Sequence, residues 1–457
     1  MTATECISTT HYNKESSKKH TVFFLYLAVM LMALFARNAL NVNIPAVFYL
    51  MITLIPLIIG NTDDILAVAV CCIPFSSGFQ YKYALLLGIA AFLWKSRGKI
   101  RLTSVMGVVA CMMIWELFHG FYGSFSFVEY FRSFAELLFL AVVSSCIDRE
   151  SLNYKFILRA YSVAVVGVCF VMLYLQLSQN NFDLNEVLTR GTDSRFGENN
   201  TDYLQYGLNF NPNALGFICN LSLASCLFLI SRKENSAFDI VLLVLSAIFA
   251  FMTLARSAVI CMLFFVLGYV LFAPIKGTKK LQYVIVTIVL LLVIFTLIYF
   301  FMPVVFDNIV DRFSEDDVSN GRNRMFAFYN EHLNSSPFHL LFGIGLQDFA
   351  GKMINIYGGD CENVPHNGYQ ESIVCWGILG IILVALLIIF MIKETKGTNR
   401  RSVVSFLPLL GWMLYITAGQ LVTSECALLE LVLIFVILSI STKKFDYDRT
   451  LMEKKRK

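Results

Sequence analysis

Charged residues are scarce in this chain of 457 residues: they make up 15% of the sequence, whereas hydrophobic residues make up 57%. A soluble domain of this length needs a much larger charged surface, so the composition excludes one. The sequence also lacks a C-x-x-C pair, and most of its 12 cysteines fall inside apolar segments. These cysteines are therefore interpreted as small packing residues and not as a disulfide framework. No basic stripe interleaved with aromatic residues is present, which argues against nucleic acid as a partner.

Motifs for nucleotide and metal chemistry are missing as well. The sequence contains no G-x-x-x-x-G-K-[ST], no H-E-x-x-H, no G-x-S-x-G and no D-x-D of the kind that holds a sugar nucleotide through a metal. We therefore predict no cofactor and no metal. A reaction without either needs a substrate that is already activated, and a sugar carried on a polyprenyl diphosphate fits this requirement. No internal repeat or low-complexity stretch divides the chain.

Long apolar segments are what the chain has in abundance. They predict an all-α fold, a polytopic transmembrane helical bundle of about 12 to 14 spans. Several segments are shorter than the roughly 20 residues of an upright span, so the ends of the predicted segments are approximate. Fourteen segments are predicted, at residues 22–37, 45–60, 65–78, 83–94, 102–120, 128–147, 156–177, 211–230, 237–254, 257–273, 281–302, 367–392, 402–419 and 426–440.

Lysine and arginine fall almost entirely in every second gap between these segments, which hold 26 of the 36 basic residues. The positive-inside rule then predicts a multi-pass membrane protein with both termini cytoplasmic and any active site facing outward. The predicted organisation is a cytoplasmic tail at 1–21, a single membrane domain at 22–440 and a basic cytoplasmic tail at 441–457. Two long outer loops are expected at about 178–210 and 303–365. Within the second, an interfacial amphipathic helix is predicted at 321–333 from the spacing of Met325, Phe326, Tyr329 and Leu333.

The outer cations are the exceptions to this charge pattern. Arg37 and Lys82 are interpreted as residues that snorkel from short outer turns. Arg132 has Glu129 three residues before it and Glu136 four residues after it, so an intrahelical ion pair is favoured over a ligand role. The others in the long loops are Arg190, Arg195, Arg312, Arg322, Arg324 and Lys352.

Arg256 interrupts the longest apolar run, at residues 237–273. One helix of that length would measure about 55 Å, whereas the hydrocarbon core is about 30 Å thick, so the run must fold back. The polar cluster from Thr253 to Ser257 predicts the corner and places Arg256 at the outer start of a helix, where an anion is favoured. A snorkelled corner arginine is the alternative, and physical reasoning alone leaves both open.

His366 follows Pro365 at the start of another predicted helix, which fits because proline suits a helix N-terminus. The helix dipole disfavours an imidazolium there, so a neutral His366 could act as a general base. A capping or interface histidine is the alternative. His119, His332 and His339 are interpreted as capping or interface histidines.

Five short strings occur in the order and spacing typical of one family. They are Asn211-Pro-Asn213-Ala-Leu-Gly216, Thr253-Leu-Ala-Arg256-Ser-Ala258, Asn320-Gly321-Arg322-Asn-Arg324-Met-Phe326, Pro337 to Phe342-Gly343-Ile-Gly345, and His366-Asn367-Gly368-Tyr369 to Gly377-Ile-Leu-Gly380.

Over residues 205–385 the chain thus resembles the O-antigen ligase and O-antigen polymerase family. The resemblance implies a membrane-embedded GT-C type glycosyltransferase that uses an undecaprenyl-diphosphate-linked oligosaccharide as donor. Residue by residue, Arg256 matches the arginine of the family's corner motif, Arg322 the loop arginine and His366 the His-Asn histidine. Ala255 stands where the family often has serine, and Phe326 where it commonly has tryptophan.

The resemblance implies an inverting, metal-independent transfer. Arg256 and Arg322 would hold the diphosphate with Arg324 or Arg195 as helpers, Asn213 would bind substrate, and His366 would take the proton of the attacking hydroxyl. A polymerase of O-antigen, capsule or exopolysaccharide repeat units is favoured, with a chain-length regulator and a flippase as possible partners in the pathway. The alternatives are an O-antigen ligase and, from another class, a lipid-linked oligosaccharide flippase.

Overall fold

A computed structural model describes residues 20–96, 100–120, 125–147, 151–189, 196–198, 208–273, 322–347, 365–395, 403–421 and 426–440, together with residue 352 and isolated positions between 281 and 310. All regular elements in these residues are helices, and no strand occurs among them. This agrees with the predicted all-α fold.

Sixteen α-helices are named here in chain order. They are α1 (Thr21–Ala39), α2 (Ala46–Ile59), α3 (Thr62–Phe75), α4 (Tyr81–Lys95), α5 (Ser104–His119), α6 (Phe127–Cys146), α7 (Tyr154–Gln179), α8 (Leu184–Thr189), α9 (Pro212–Ser231), α10 (Ala237–Met252), α11 (Arg256–Phe272), α12 (Arg322–Ser335), α13 (Pro337–Phe342), α14 (Gly368–Glu394), α15 (Leu407–Tyr415, after a 3-10 turn at Val403–Phe406) and α16 (Ala427–Ser439).

Every predicted apolar segment except 281–302 coincides with a described helix, and 281–302 lies mostly outside the described residues. Four helices, α1, α7, α9 and α14, are long and apolar enough to cross a membrane. Shorter apolar helices include α2, α5, α10, α11 and α16, which have between 13 and 17 residues. The helices indicate a membrane protein, while the number of spans remains a prediction.

The centre of the bundle is formed by helices that are enclosed on all sides. Every residue of α16 is buried, and so is α3 from Asp63 to Phe75. Peripheral helices instead expose large apolar side chains, such as Leu25 on α1 and Ile58 on α2. An aqueous surface would disfavour such a belt, whereas lipid accommodates it.

Helix α14 is broken at Gly377, whose φ of 70° and ψ of −166° are not helical. Gly377 lies nine residues from the start of α14, which is about 13 Å along a helix, and it is buried among apolar side chains of this candidate span. The break leaves three carbonyl groups without their helical donors. The N–H groups of Ile344 and Gly345 donate to the carbonyls of Val374 and Cys375, at 3.0 and 2.8 Å.

The third carbonyl, that of Trp376, accepts from the Trp115 indole at 3.1 Å. A break in an apolar environment is tolerated only where other groups satisfy the backbone, and here the segment after α13 and helix α5 do so. Gly343 and Gly377, which belong to different strings, are thus explained by one contact. A side chain at either position would collide with the backbone of the other segment.

Glu116 of α5 holds the segment 343–347 in place. Its carboxylate is buried on α5 and accepts from the N–H groups of Leu346 (2.8 Å) and Gln347 (3.1 Å) and from the Trp376 indole (2.8 Å). A buried carboxylate is stabilised when several donors satisfy its oxygens. Helices α5 and α14 and the 343–347 segment therefore form one unit, which positions the start of α14.

Candidate functional site

The predicted corner at Arg256 is present in the structure. Helix α10 ends at Met252 and α11 begins with Arg256 itself. Between them Leu254 adopts a left-handed conformation with φ of 47°, and the Thr253 hydroxyl donates to the Ala250 carbonyl at 2.7 Å. The long apolar run is thus interrupted where the sequence predicted, and Arg256 lies half-buried at a helix N-terminus, where the helix dipole favours an anion.

The start of α9 packs directly against the start of α11. Gly216 allows this approach, because a side chain there would collide with Ala258. The Asn220 amide donates to the Ala258 carbonyl at 2.7 Å, and the Ser257 hydroxyl donates to Oδ1 of Asn213 at 2.9 Å. Ser257, which follows Arg256, is therefore hydrogen-bonded to Asn213, which the sequence analysis predicted to bind substrate.

Asn213 has both polar groups of its side chain engaged. Its Oδ1 accepts from Ser257, and its Nδ2 donates to Oδ1 of Asn211 at 3.1 Å. Asn211 also caps α9 by accepting from the Asn213 backbone N–H at 2.9 Å. This geometry favours a role for Asn213 in positioning the neighbouring corner.

His366 lies just outside the start of α14. The helix begins at Gly368, later than predicted, and Asn367 is its cap, because the Asn367 side chain accepts from the N–H groups of Tyr369 and Gln370 at 3.0 and 3.1 Å. The capping alternative for His366 is therefore wrong. Pro365 also does not occupy the first helical position, which Gly368 takes.

One cavity of about 270 Å³ joins these elements, and it is lined both by His366 and by Asn213. Its remaining walls come from the residues before and at the start of α9, from the segment after α15, and from Ser76 after α3 and Cys426 before α16. Arg256 does not line the cavity, but the neighbouring Ser257 donates a hydrogen bond to Asn213 in the cavity wall. The structure thus brings together residues that lie more than 150 positions apart in the sequence.

The segment after α15 is held against α14 by two contacts. The Gly368 N–H donates to the Ile416 carbonyl at 2.8 Å, and the buried Glu371 carboxylate accepts from the Leu421 N–H. Tyr415 at the end of α15 stacks on Phe217 of α9, with ring centroids 4.3 Å apart. Cavity walls from α9, α14 and α15 are therefore fixed relative to one another.

The helix that carries Arg322 and Arg324 lies beside the start of α14. Gln370 of α14 donates from its side-chain amide to the Phe326 carbonyl (2.9 Å) and to Oδ1 of Asn330 (3.2 Å) of α12. The helix predicted at 321–333 is present as α12, which buries Tyr329 and Leu333 while Phe326 is exposed. The side chains of Arg322 and Arg324, and all of Arg195, lie outside the described residues.

Two interpretations of outer cations are wrong. Lys82 does not snorkel: its ammonium lies 3.4 Å from the buried carboxylate of Glu136, which also accepts from the Tyr81 hydroxyl. Arg37 is buried, with its guanidinium 5.7 Å from the centre of the Tyr49 ring. Both side chains turn inward because the bundle offers them partners that a pattern of apolar segments does not reveal.

Arg132 forms an ion pair with Glu129 at 2.7 Å, as predicted, but Glu136 instead pairs with Lys82. Lys352 donates to the Ile344 carbonyl at 3.0 Å and so holds the segment that contacts Gly377. Within the described residues, no group of three or more His, Cys, Asp or Glu side chains could hold a metal ion.

Several residues of this site were not identified from the sequence. Glu116 could have been, because an acid within the apolar segment 102–120 signals a buried polar contact. Ser76 and Gln420 carry no such signal, since small polar residues are common at helix ends.

The comparison with protein families agrees with this arrangement. Residues 241–385 match the family model described as O-Antigen ligase. This stretch is similar to the O-antigen ligase family. The match includes the Arg256 corner, helices α12 and α13, His366 and the break of α14, and it begins after the Asn211 to Gly216 string.

The predicted resemblance is thereby confirmed. The family consists of glycosyltransferase-like enzymes and implies a lipid-linked glycan donor and a glycan acceptor. No curated protein matches the chain.

Proposed function

We propose that this protein transfers or polymerises oligosaccharide units from a polyprenyl-diphosphate carrier to an acceptor sugar hydroxyl at the outer face of the bacterial plasma membrane. The observation that supports this most directly is that His366 and Asn213 line one cavity, while Ser257 ties Asn213 to the Arg256 corner. Three strings from distant parts of the chain thus meet at one place, and the family match covers two of them.

The proposed reaction forms one bond and breaks one. The acceptor oxygen attacks the anomeric carbon, the bond from that carbon to the phosphate oxygen breaks, and its electron pair leaves with the lipid diphosphate. The anomeric configuration is inverted, because attack and departure occur on opposite faces. His366 takes the proton of the attacking hydroxyl.

Negative charge accumulates on the diphosphate as the bond breaks. Arg256 and Arg322, with Arg324 or Arg195 as helpers, would stabilise it, because guanidinium groups make paired hydrogen bonds to phosphate oxygens. These bonds strengthen toward the transition state, so they accelerate the reaction as well as bind the donor. The positive end of the α11 helix dipole, at Arg256, adds to this stabilisation.

The assigned base is tested with the purified full-length chain in lipid nanodiscs and a lipid-linked oligosaccharide donor. We expect His366→Ala to lower turnover by about 10²- to 10⁴-fold with little change in donor binding. His339→Ala is the control, because His339 lies on α13 and does not line the cavity. Normal turnover in His366→Ala refutes the base, and loss of donor binding in that variant makes His366 a phosphate ligand.

Polymerase activity is distinguished from ligase activity in cells. Loss of a polymerase leaves acceptors that carry single repeat units, whereas loss of a ligase leaves complete polymer on the carrier lipid. We expect the first pattern for a deletion strain and for Arg322→Ala at normal protein level. The second pattern assigns ligase activity, and an unchanged glycan profile refutes the proposed function.

A further inference from the structure

The cavity beside His366 has polar walls without fixed charge. Among the described residues that line it, none is a lysine, an arginine, an aspartate or a glutamate. A diphosphate carries several negative charges and needs cationic partners, so this cavity does not suit it. A sugar ring is uncharged, and its hydroxyl groups both donate and accept hydrogen bonds. A volume of about 270 Å³ is near the lower end for ligand sites, which fits a single ring.

Two polar groups in the walls make no hydrogen bond with the rest of the described chain. The Ser76 hydroxyl is buried and has no partner among the described residues. Gln420 is half-buried, and no hydrogen bond joins its amide to the described part of the protein. Buried polar groups are nearly always satisfied, so the buried Ser76 hydroxyl at this cavity indicates a ligand that completes it, and Gln420 offers its amide to the same ligand.

These two groups come from different parts of the bundle. Ser76 follows α3 and Gln420 follows α15, so they lie on opposite sides of the matched stretch 241–385 in the sequence and both lie outside it. Serine supplies a hydroxyl that turns to donate or accept, and glutamine supplies both a carbonyl and an amide. Phe210 and Tyr415 add aromatic surface in the same cavity, which suits the C–H face of a sugar.

We infer that this cavity is the subsite for the acceptor sugar, and that Ser76 and Gln420 select it by hydrogen bonds to hydroxyls next to the one that attacks. The inference rests on the proposed function, because the acceptor hydroxyl must reach His366. The donor diphosphate then lies outside the cavity, toward the Arg256 corner. Ser257 and Asn213 form the boundary between the two.

The test uses the purified full-length chain in nanodiscs, with a lipid-linked donor at saturation and a synthetic repeat-unit glycoside as acceptor. We expect Ser76→Ala and Gln420→Ala each to raise the acceptor KM by about tenfold, which corresponds to the loss of one good hydrogen bond. Donor affinity and kcat should change by less than about twofold. The thermal midpoint of Ser76→Ala should not fall, because the hydroxyl has no partner to lose.

Ser77→Ala is the matched control. The Ser77 hydroxyl is equally buried and has no partner among the described residues, but Ser77 does not line the cavity. An unchanged acceptor KM in both variants overturns the inference, and so does a loss of donor affinity with the acceptor KM unchanged.

Direct binding separates this inference from the proposed function. Saturation-transfer NMR measures binding of the repeat-unit glycoside without turnover, and we expect a signal that Ser76→Trp abolishes and Ser77→Ala retains. Glycoside binding without any transfer refutes the proposed function and supports the subsite. Transfer without a Ser76-dependent signal refutes the subsite and supports the function.

Discussion

The hydroxyl of Ser257 donates a hydrogen bond of 2.9 Å to the side-chain oxygen of Asn213, and this bond joins two helix starts that carry different parts of the proposed site. Ser257 follows the arginine assigned to the diphosphate, and Asn213 lines the cavity that contains His366. The bond therefore fixes the distance between the leaving group and the base. Catalysis is sensitive to such distances, because a displacement of about 1 Å at a reacting centre can reduce a rate by about 100-fold.

Removing this bond should affect turnover more than stability. We expect Ser257→Ala to lower kcat/KM for the lipid-linked donor by about tenfold, and Ser257→Thr, which keeps the hydroxyl, to restore most of it. Ser246→Ala is the control, because Ser246 forms a similar 2.8 Å contact with Ser222 of the same helix α9, away from the cavity. Equal effects of Ser257→Ala and Ser246→Ala on turnover would show that the bond only stabilises the fold.

A conservative substitution at Arg256 tests the diphosphate contact. Lysine keeps the positive charge but cannot form the paired hydrogen bonds of a guanidinium, so Arg256→Lys should weaken donor binding and turnover together. We expect losses of about tenfold or more in each, measured as the donor Kd and kcat. Arg132→Lys is the control, because Arg132 is half-exposed and its described partner is Glu129 on the same helix. Unchanged donor binding in Arg256→Lys would return Arg256 to the role of a snorkelled corner residue.

The orientation of the bundle is tested separately from its chemistry. The alternation of lysine and arginine places a reporter fused after Asn334 outside the cell and one fused after Lys396 in the cytoplasm. A reporter enzyme that is active only in the periplasm or outside the cell should be active after Asn334 and inactive after Lys396. A fluorescent protein that fluoresces only in the cytoplasm should give the opposite result at each position. The same side for both positions would contradict the outward-facing site.

Much of the fold was predictable because a bilayer requires long apolar segments, and such segments are easy to recognise in a sequence. The corner at Arg256 followed from length alone, since a helix across residues 237–273 could not fit the membrane. The break at Gly377 was not predicted, because a glycine in an apolar segment does not show that another segment satisfies its backbone. Lys82 was misinterpreted for a similar reason: its partner Glu136 lies on another helix, and a single sequence does not reveal contacts between helices.

The break of α14 makes Gly377 intolerant of a side chain. With φ of 70°, any other residue would be strained, and a Cβ would collide with the Leu341 carbonyl. We expect Gly377→Ala to reduce the yield of monodisperse protein on fluorescence-detected size exclusion and to lower the thermal midpoint. Gly107→Ala on α5 is the control, because its Cβ would contact nothing within 4 Å and alanine favours a helix. Wild-type behaviour of Gly377→Ala would contradict the non-helical conformation.

Glu116 should control the 343–347 segment specifically. Its carboxylate accepts from two backbone N–H groups and from the Trp376 indole, and Glu116→Ala leaves all three donors without an acceptor in an apolar setting. Each buried unsatisfied group costs about 1 to 3 kcal/mol, so we expect a loss of several kcal/mol in the free energy of unfolding. The released N–H groups of Leu346 and Gln347 should exchange faster with deuterium, as measured by mass spectrometry on the purified protein.

Glu129→Ala is the control, since an exposed ion pair contributes about 1 kcal/mol or less. If Glu116→Ala lowers stability without faster exchange at residues 346 and 347, the carboxylate acts through α5 packing, and the loop is held by the contacts with Val374 and Cys375 instead.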